Sequence, residues 1–255
     1  MRVTKLTSTV VVAVSTVLAV AACGGEDAKK GNGGGTGAKL PQGSEPVKLD
    51  PADFTTQIDN PYWPMTPGSR WVYRETDSEG TEQRVVVTVT RRTKKIANGI
   101  EATVVHDVVT ERGEPVEVTD DWYAQDSKGN IWYLGEDTTE YENGKPSTTA
   151  GSFEAGVDGA QPGIIMPAEP EAGQAYRQEY YKGEAEDAAR IMSLEERAEV
   201  PAGHFGKVLM TRDVNPLEPK ILEFKFYARG VGPVLAVSVS GGSDREELLS
   251  YSKGE

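Results

Sequence analysis

From residue 71 to residue 252 the chain is a succession of short runs in which polar and apolar residues alternate, each closed by turn formers, and this rhythm restricts it to a sheet built from hairpins. Residues 71–76, 83–93, 100–111 and 116–125 are rich in Val, Thr, Tyr and Trp, the side chains that suit a pleated surface. Between them stand Asp77-Ser78-Glu79-Gly80, Asn98-Gly99 and Arg112-Gly113-Glu114-Pro115. Asn98-Gly99 suits a tight turn that needs positive φ, and Asn143-Gly144 repeats it after strand-like residues 131–134 and 140–142. Strands resume over residues 175–182, 189–200, 206–214, 220–228, 231–240 and 246–252. The one helical stretch of note, residues 184–192, reads equally well as entry into a strand. Hairpins without alternating helices predict a mainly β protein: a single antiparallel, strongly curved sheet or partly open barrel with little helix.

Two segments break the rhythm. Residues 59–68, Asp-Asn-Pro-Tyr-Trp-Pro-Met-Thr-Pro-Gly, are held extended by proline, and Tyr62, Trp63 and Met65 are expected to cover one end of the core. Residues 152–170 hold three glycines and three prolines around Ile164, Ile165 and Met166. That composition predicts a long Gly/Pro loop covering part of the sheet, and loops of such length are uncommon unless they cover something.

Before the sheet comes a different chemistry. Arg2 and Lys5 precede an apolar run that ends Ala21-Ala22-Cys23, too short and too rich in Ser and Thr to span a bilayer. The pattern resembles the bacterial lipobox, which implies cleavage after residue 22 and a diacylglycerol thioether on Cys23. Cys23 is the only cysteine, so no disulfide competes for it. Residues 24–46 hold almost nothing to bury, and Gly31 to Gly37 has the composition of a coil. The expected organisation is therefore a signal peptide (1–22), a lipidated tether (23–48) and one β domain (49–255) facing outside the cytoplasm, anchored to the cell membrane through Cys23.

Charge narrows the functions. Forty Asp and Glu against 27 Lys and Arg give a formal net charge of -13, and losing Arg2 and Lys5 with the signal peptide makes the rest more negative. Nucleic acid is excluded as a partner, because phosphate neutralisation needs clustered cations. No Gly-x-Ser-x-Gly elbow, His-Glu-x-x-His pair, phosphate loop or dinucleotide fingerprint is present, so no cofactor is expected. An EF-type loop from Asp126 fails on Lys128 and Ile131. Asp120-Asp121, Glu184-Glu186-Asp187 and Glu195-Glu196 read as solvated faces, with a divalent-cation site as the alternative.

The residues left for a site are His106 and a set of apolar side chains. On the strand from Ile100, His106 shares the more apolar face with Ala102 and Val104, where a core histidine or a catalytic one can sit. Ile164, Ile165, Met166, Tyr176, Tyr180, Phe224 and Phe226 are candidates to line a cavity for an apolar ligand under the 152–170 loop, or simply to fill it. Three readings follow: a non-catalytic binding or scaffold lipoprotein, a cell-envelope hydrolase using His106 or a carboxylate pair, and a divalent-cation binder.

Residues 200–209, Val-Pro-Ala-Gly-His-Phe-Gly-Lys-Val-Leu, and 226–234, Phe-Tyr-Ala-Arg-Gly-Val-Gly-Pro-Val, resemble a "VPAGTF…YYAPGVG" pattern of TapB-like secreted β-proteins. His204 replaces the usual Thr and Arg229 the usual Pro. From Ile58 onward the chain is similar in outline to a group of bacterial, largely actinobacterial, lipoproteins. The resemblance implies an extracytoplasmic antiparallel sheet and brings no catalytic residue with it.

Overall fold

The structure is a computed structural model that describes residues 39–255. The signal segment, Cys23 and the glycine-rich stretch lie outside the described residues. A single 3-10 turn, Pro51–Asp53, precedes β1 (Phe54–Thr55), β2 (Arg70–Thr76), β3 (Glu82–Lys95), β4 (Glu101–Glu111), β5 (Glu114–Asp126) and β6 (Ile131–Glu142). Then come β7 (Lys145–Thr148), β8 (Phe153–Glu154), β9 (Gln161–Met166), β10 (Ala175–Arg177) and β11 (Glu179–Tyr180). The chain finishes with β12 (Ala188–Val200), β13 (Gly203–Val214), β14 (Leu222–Ala228), β15 (Gly232–Ser240) and β16 (Arg245–Ser252).

All pairings between these strands are antiparallel, and the main path runs β10-β12-β13-β14-β15-β16-β2-β3-β4-β5-β6-β9-β11. The mainly β, strongly curved single sheet read from the alternation is thus what forms: a nearly closed barrel with an unsealed seam. At the two-residue turns the backbone takes the left-handed conformation that the sequence requires, φ 52° and 72° at Asn143 and Gly144. The stretch 184–192 carries no helix; it enters β12.

Closure depends on six residues. β10 pairs with β12 at one edge of the sheet, and β11, one residue later, pairs with β9 at the other. Gln178 stands between them, its backbone N–H donating to Asp187 O at 2.8 Å. The segment 175–180 therefore crosses the seam and bonds to both edges. The predicted covering loop is corrected here: within 152–170, β8 and β9 join the sheet, because Gly163, which reads as a breaker, is where two backbones meet too closely for a Cβ.

Arg177 seals the outside of this crossing. Its guanidinium is 2% exposed and donates to Pro162 O from Nε and Nη2 (3.2 and 2.8 Å) and to Gly43 O and Glu45 O from Nη1 (2.7 and 2.8 Å). The Arg177 amide donates to Pro41 O, and Gln42 Nε2 donates to Ala175 O. Leu40, Val47 and Leu49 pack on the core beside them. Residues 40–48, expected as the end of a free tether, instead form part of the folded body. Arg177→Met is expected to lose about 2 kcal/mol of stability, since charge-assisted bonds to three carbonyls disappear, and to loosen the backbone of residues 40–48 so that trypsin cuts faster after the exposed Lys39 and Lys48; an unchanged digestion pattern would refute the clamp.

The other end of the barrel is stoppered. Asn60 Nδ2 donates to Gly129 O and Pro167 O, Gly230 N to Pro61 O, and Gln125 Oε1 accepts from the amides of Asp59 and Asn60. Tyr62 and Met65 are buried there, and Trp63 lies against Tyr123 and Tyr227 with ring centroids 5.8 and 5.9 Å away. Gly232 makes room for that indole, because a Cβ would lie 2.8 Å from Trp63 Cδ1.

Candidate functional site

Six strands change character along their inward face. From the stoppered end outward, β2 presents Trp71, Tyr73 and Glu75, β5 presents Tyr123, Asp121, Thr119 and Glu117, and β14 presents Tyr227, Lys225 and Glu223. β4 adds Val105 then Asp107, β6 Tyr133 then Glu136, and β16 Leu248 then Glu246. Successive positions on this face pass from aromatic or aliphatic to charged, acidic in every case but Lys225, so the barrel has an aromatic floor beneath a mainly acidic upper wall. Between them is a cavity of about 400 Å³, bordered by Trp63, Trp71, Tyr73, Tyr123, Tyr133 and Tyr227 and by the carboxyls of Asp107, Asp121, Glu136, Glu179, Asp187 and Glu246.

Burial governs the charge of that wall. Loss of water, with Glu117 nearby, raises Asp107 to about 7, and desolvation likewise raises Glu136 to about 7, Asp187 to about 6 and Glu246 to about 8. Asp121 and Glu179 are pushed well above the ordinary carboxyl range by burial first and by neighbouring carboxyls second. Geometry requires the same at one point. Tyr133 Oη lies 2.8 Å from Asp121 Oδ1 and 3.0 Å from Glu136 Oε2. A phenol has one proton to donate, so one of the two carboxyls must carry the second.

Lys225 is the one cation on the cavity wall, and it is engaged elsewhere. Its Nζ sits 3.2 Å from Glu223 Oε1 and 3.4 Å from Asp213 Oδ2, neither of which borders the cavity. The Glu223 charge, more than its own burial, sets its proton affinity and holds it well above the usual lysine range. Two cavity carboxyls keep a buried oxygen without a hydrogen-bond partner among the described residues, Asp107 Oδ1 and Asp187 Oδ1.

Of His106 and the apolar side chains proposed from the sequence as a cavity lining, Ile165 alone borders the cavity. Ile164 and Met166 are fully buried where β9 packs on β6. Tyr176 is buried with an unpartnered hydroxyl near Tyr227 and Asp213, and Tyr180 is half-buried in β11. Phe224 and Phe226 alternate with Lys225 and Tyr227 and so lie outside the set that borders the lumen. The expected lining is therefore replaced by the opposite faces of the same strands. His106 points out of the barrel, its Nδ1 2.7 Å from Asp120 Oδ1, while Arg92 grips Asp120 with two bonds of 2.7 and 2.8 Å. The pair Asp120-Asp121, read as one solvated face, divides between outside and inside.

No protein-family model matches the chain, and no curated protein matches it. Two solved structures are similar in chain path. A protein described as exported, with a YmcC-like fold, from Bacteroides fragilis NCTC 9343 shares 14% identity at a TM-score of 0.43, covering 75% of this chain and 99% of its own. A protein described as a lipoprotein, from Parabacteroides distasonis ATCC 8503, shares 14% identity at a TM-score of 0.41, covering 75% and 98%.

Proposed function

We propose that this chain is a non-catalytic binding protein, exported and held at the cell membrane by lipid on Cys23, whose barrel lumen takes a small molecule. The observation that carries the binding site is the cavity of about 400 Å³, within the 300–1,000 Å³ of ordinary ligand pockets and built from a few aromatic faces and convergent polar groups. Export and anchoring rest on the positive n-region, the apolar run and Ala21-Ala22-Cys23. Among the described residues no helix is long and apolar enough to cross a membrane. A wholly apolar guest fits this lumen poorly, because it would strip water from six carboxyls without replacing their hydrogen bonds. A guest with an apolar body and a polar head fits both ends.

A hydrolase is the second reading, and Asp121 and Glu136 around Tyr133 are the carboxylate pair that favours it. His106 contributes nothing to it from outside the barrel. The two readings separate in one preparation: the processed chain extracted from its own membranes and examined by native mass spectrometry. The expected result is a lipidated polypeptide carrying an intact small molecule, an adduct absent from Ala236→Trp, whose indole fills the lumen. A naked polypeptide, or an adduct indifferent to Ala236→Trp, would overturn the lumenal site. Cys23→Ser should move the chain from the membrane to the soluble fraction, and unchanged fractionation would overturn the anchor.

A further inference from the structure

The lumenal site has a charge preference that follows from which cavity groups are already paired. Resting on the reading of the lumen as a binding site, we infer that its guest is a small organic cation: an ammonium head on an apolar, ring-sized body. The head would seat between Asp107 and Asp187, and the body would lie on the floor of Trp63, Trp71 and Tyr227.

Three observations lead there. Six carboxyls border the cavity against one ammonium, and that ammonium is shared with Asp213 and Glu223, which do not border it. One ammonium, shared with carboxyls that do not border the cavity, leaves the six cavity acids short of countercharge from the protein. Second, Asp107 and Asp187 each keep a buried, unpartnered oxygen, although buried polar atoms in folded proteins nearly always find partners. Both carboxyls border the cavity, so an N–H donor there meets acceptors, and a chloride or carboxylate does not. Third, the floor is made of aromatic rings, which offer the apolar body of such a guest a surface to stack on. A metal ion fits less well: among the described residues no three His, Cys, Asp or Glu side chains converge closely enough to hold one.

Proton release should accompany binding. Asp107 faces Glu117, Glu75, Asp121, Glu246, Tyr73 and Tyr123 from other strands, with His106 behind it on its own strand, and Asp187 faces Lys225, Asp213, Glu223, Glu218, Glu136 and Glu179. Burial keeps both carboxyls partly protonated near neutrality. A cation arriving between them lowers their proton affinity, so protons leave as it enters.

The test is calorimetric titration of the processed full chain in detergent at pH 7.5 with three probes of one shape: 2-phenylethylamine, 2-phenylethanol and phenylacetate. The amine is expected to bind at least tenfold more tightly than the alcohol, and phenylacetate not at all. The amine's heat should also differ between phosphate and Tris buffers by the amount that proton release requires. Asp107→Asn and Asp187→Asn should each weaken the amine tenfold or more, whereas Asp120→Asn, on the outer face, should leave its affinity unchanged and shows that a substituted chain still folds and binds. If the alcohol or phenylacetate binds as tightly as the amine, the cation inference is overturned and the lumenal site stands. If none of the three gives heat, the inference is overturned, and the lumenal site then stands or falls on the co-purifying mass.

Discussion

Gly163→Ala should destabilise the protein by about 4 kcal/mol, a large effect for a single methyl group. The added Cβ would overlap the carbonyl group of Gln178 and come within 2.5 Å of Arg177 O, both backbone atoms, where real Cβ contacts essentially never fall below 3.0 Å. Backbone cannot swing aside as a flexible side chain does, so the crossing segment must leave β9 or the sheet must shift. Gly163 is not among the glycines at positive φ, so the penalty measures the clash and not a conformational preference. Since whole domains are stable by only about 5–15 kcal/mol, the urea midpoint should fall sharply. A midpoint within error of wild type would show that the seam is not held by this contact.

Lys225→Met should cost about 3 kcal/mol at pH 8.5 and much less at pH 5. Removing one member of a buried pair leaves the other uncompensated, and here both Asp213 and Glu223 lose their partner. Because Nζ also reaches the lumen, water screens part of the loss. The pH dependence follows from the direction of the shifts. The cavity carboxyls hold their protons in the folded state to about 6–8, whereas an unfolded chain releases them near 4. Their contribution to stability is complete below about pH 4 and is lost as pH climbs through the folded values. Lys225 lowers the proton affinity of Asp187 and Asp213, so without it both move further up and the alkaline loss deepens. Equal losses in denaturant titrations at pH 5 and 8.5 would contradict this account.

The sheet was legible because a period of two survives even where neither face is clean. The strand limits read from the alternation fall within a few residues of β2 to β5 and β12 to β16. The cavity was not legible, for the same physical reason. Where strands line a polar lumen, both faces of a strand carry charge, and nothing local distinguishes Asp120, bound to Arg92 outside, from Asp121, bound to Tyr133 inside. The apolar face of the strand from Ile100 was taken as the inner one, yet Val105 and Asp107 are the residues that border the lumen. A signal was available: on β2 and β5 aromatic residues give way to acids two positions apart on one face, and on β14 to a lysine, which a core-facing strand rarely does. The closure of the barrel was out of reach, since β10 and β11 are three- and two-residue pairings to partners on opposite edges.

The placing of the four tryptophans gives the molecule its own optical ruler. Trp63 and Trp71 look into the lumen, while Trp122 lies under the Lys94 ammonium and Trp132 against Phe54 and the Asp126 carboxylate, on other surfaces of the sheet. Occupancy should therefore dim or shift the emission of one pair of indoles and leave the second as an internal standard, so that loading can be followed in a membrane suspension with no label attached.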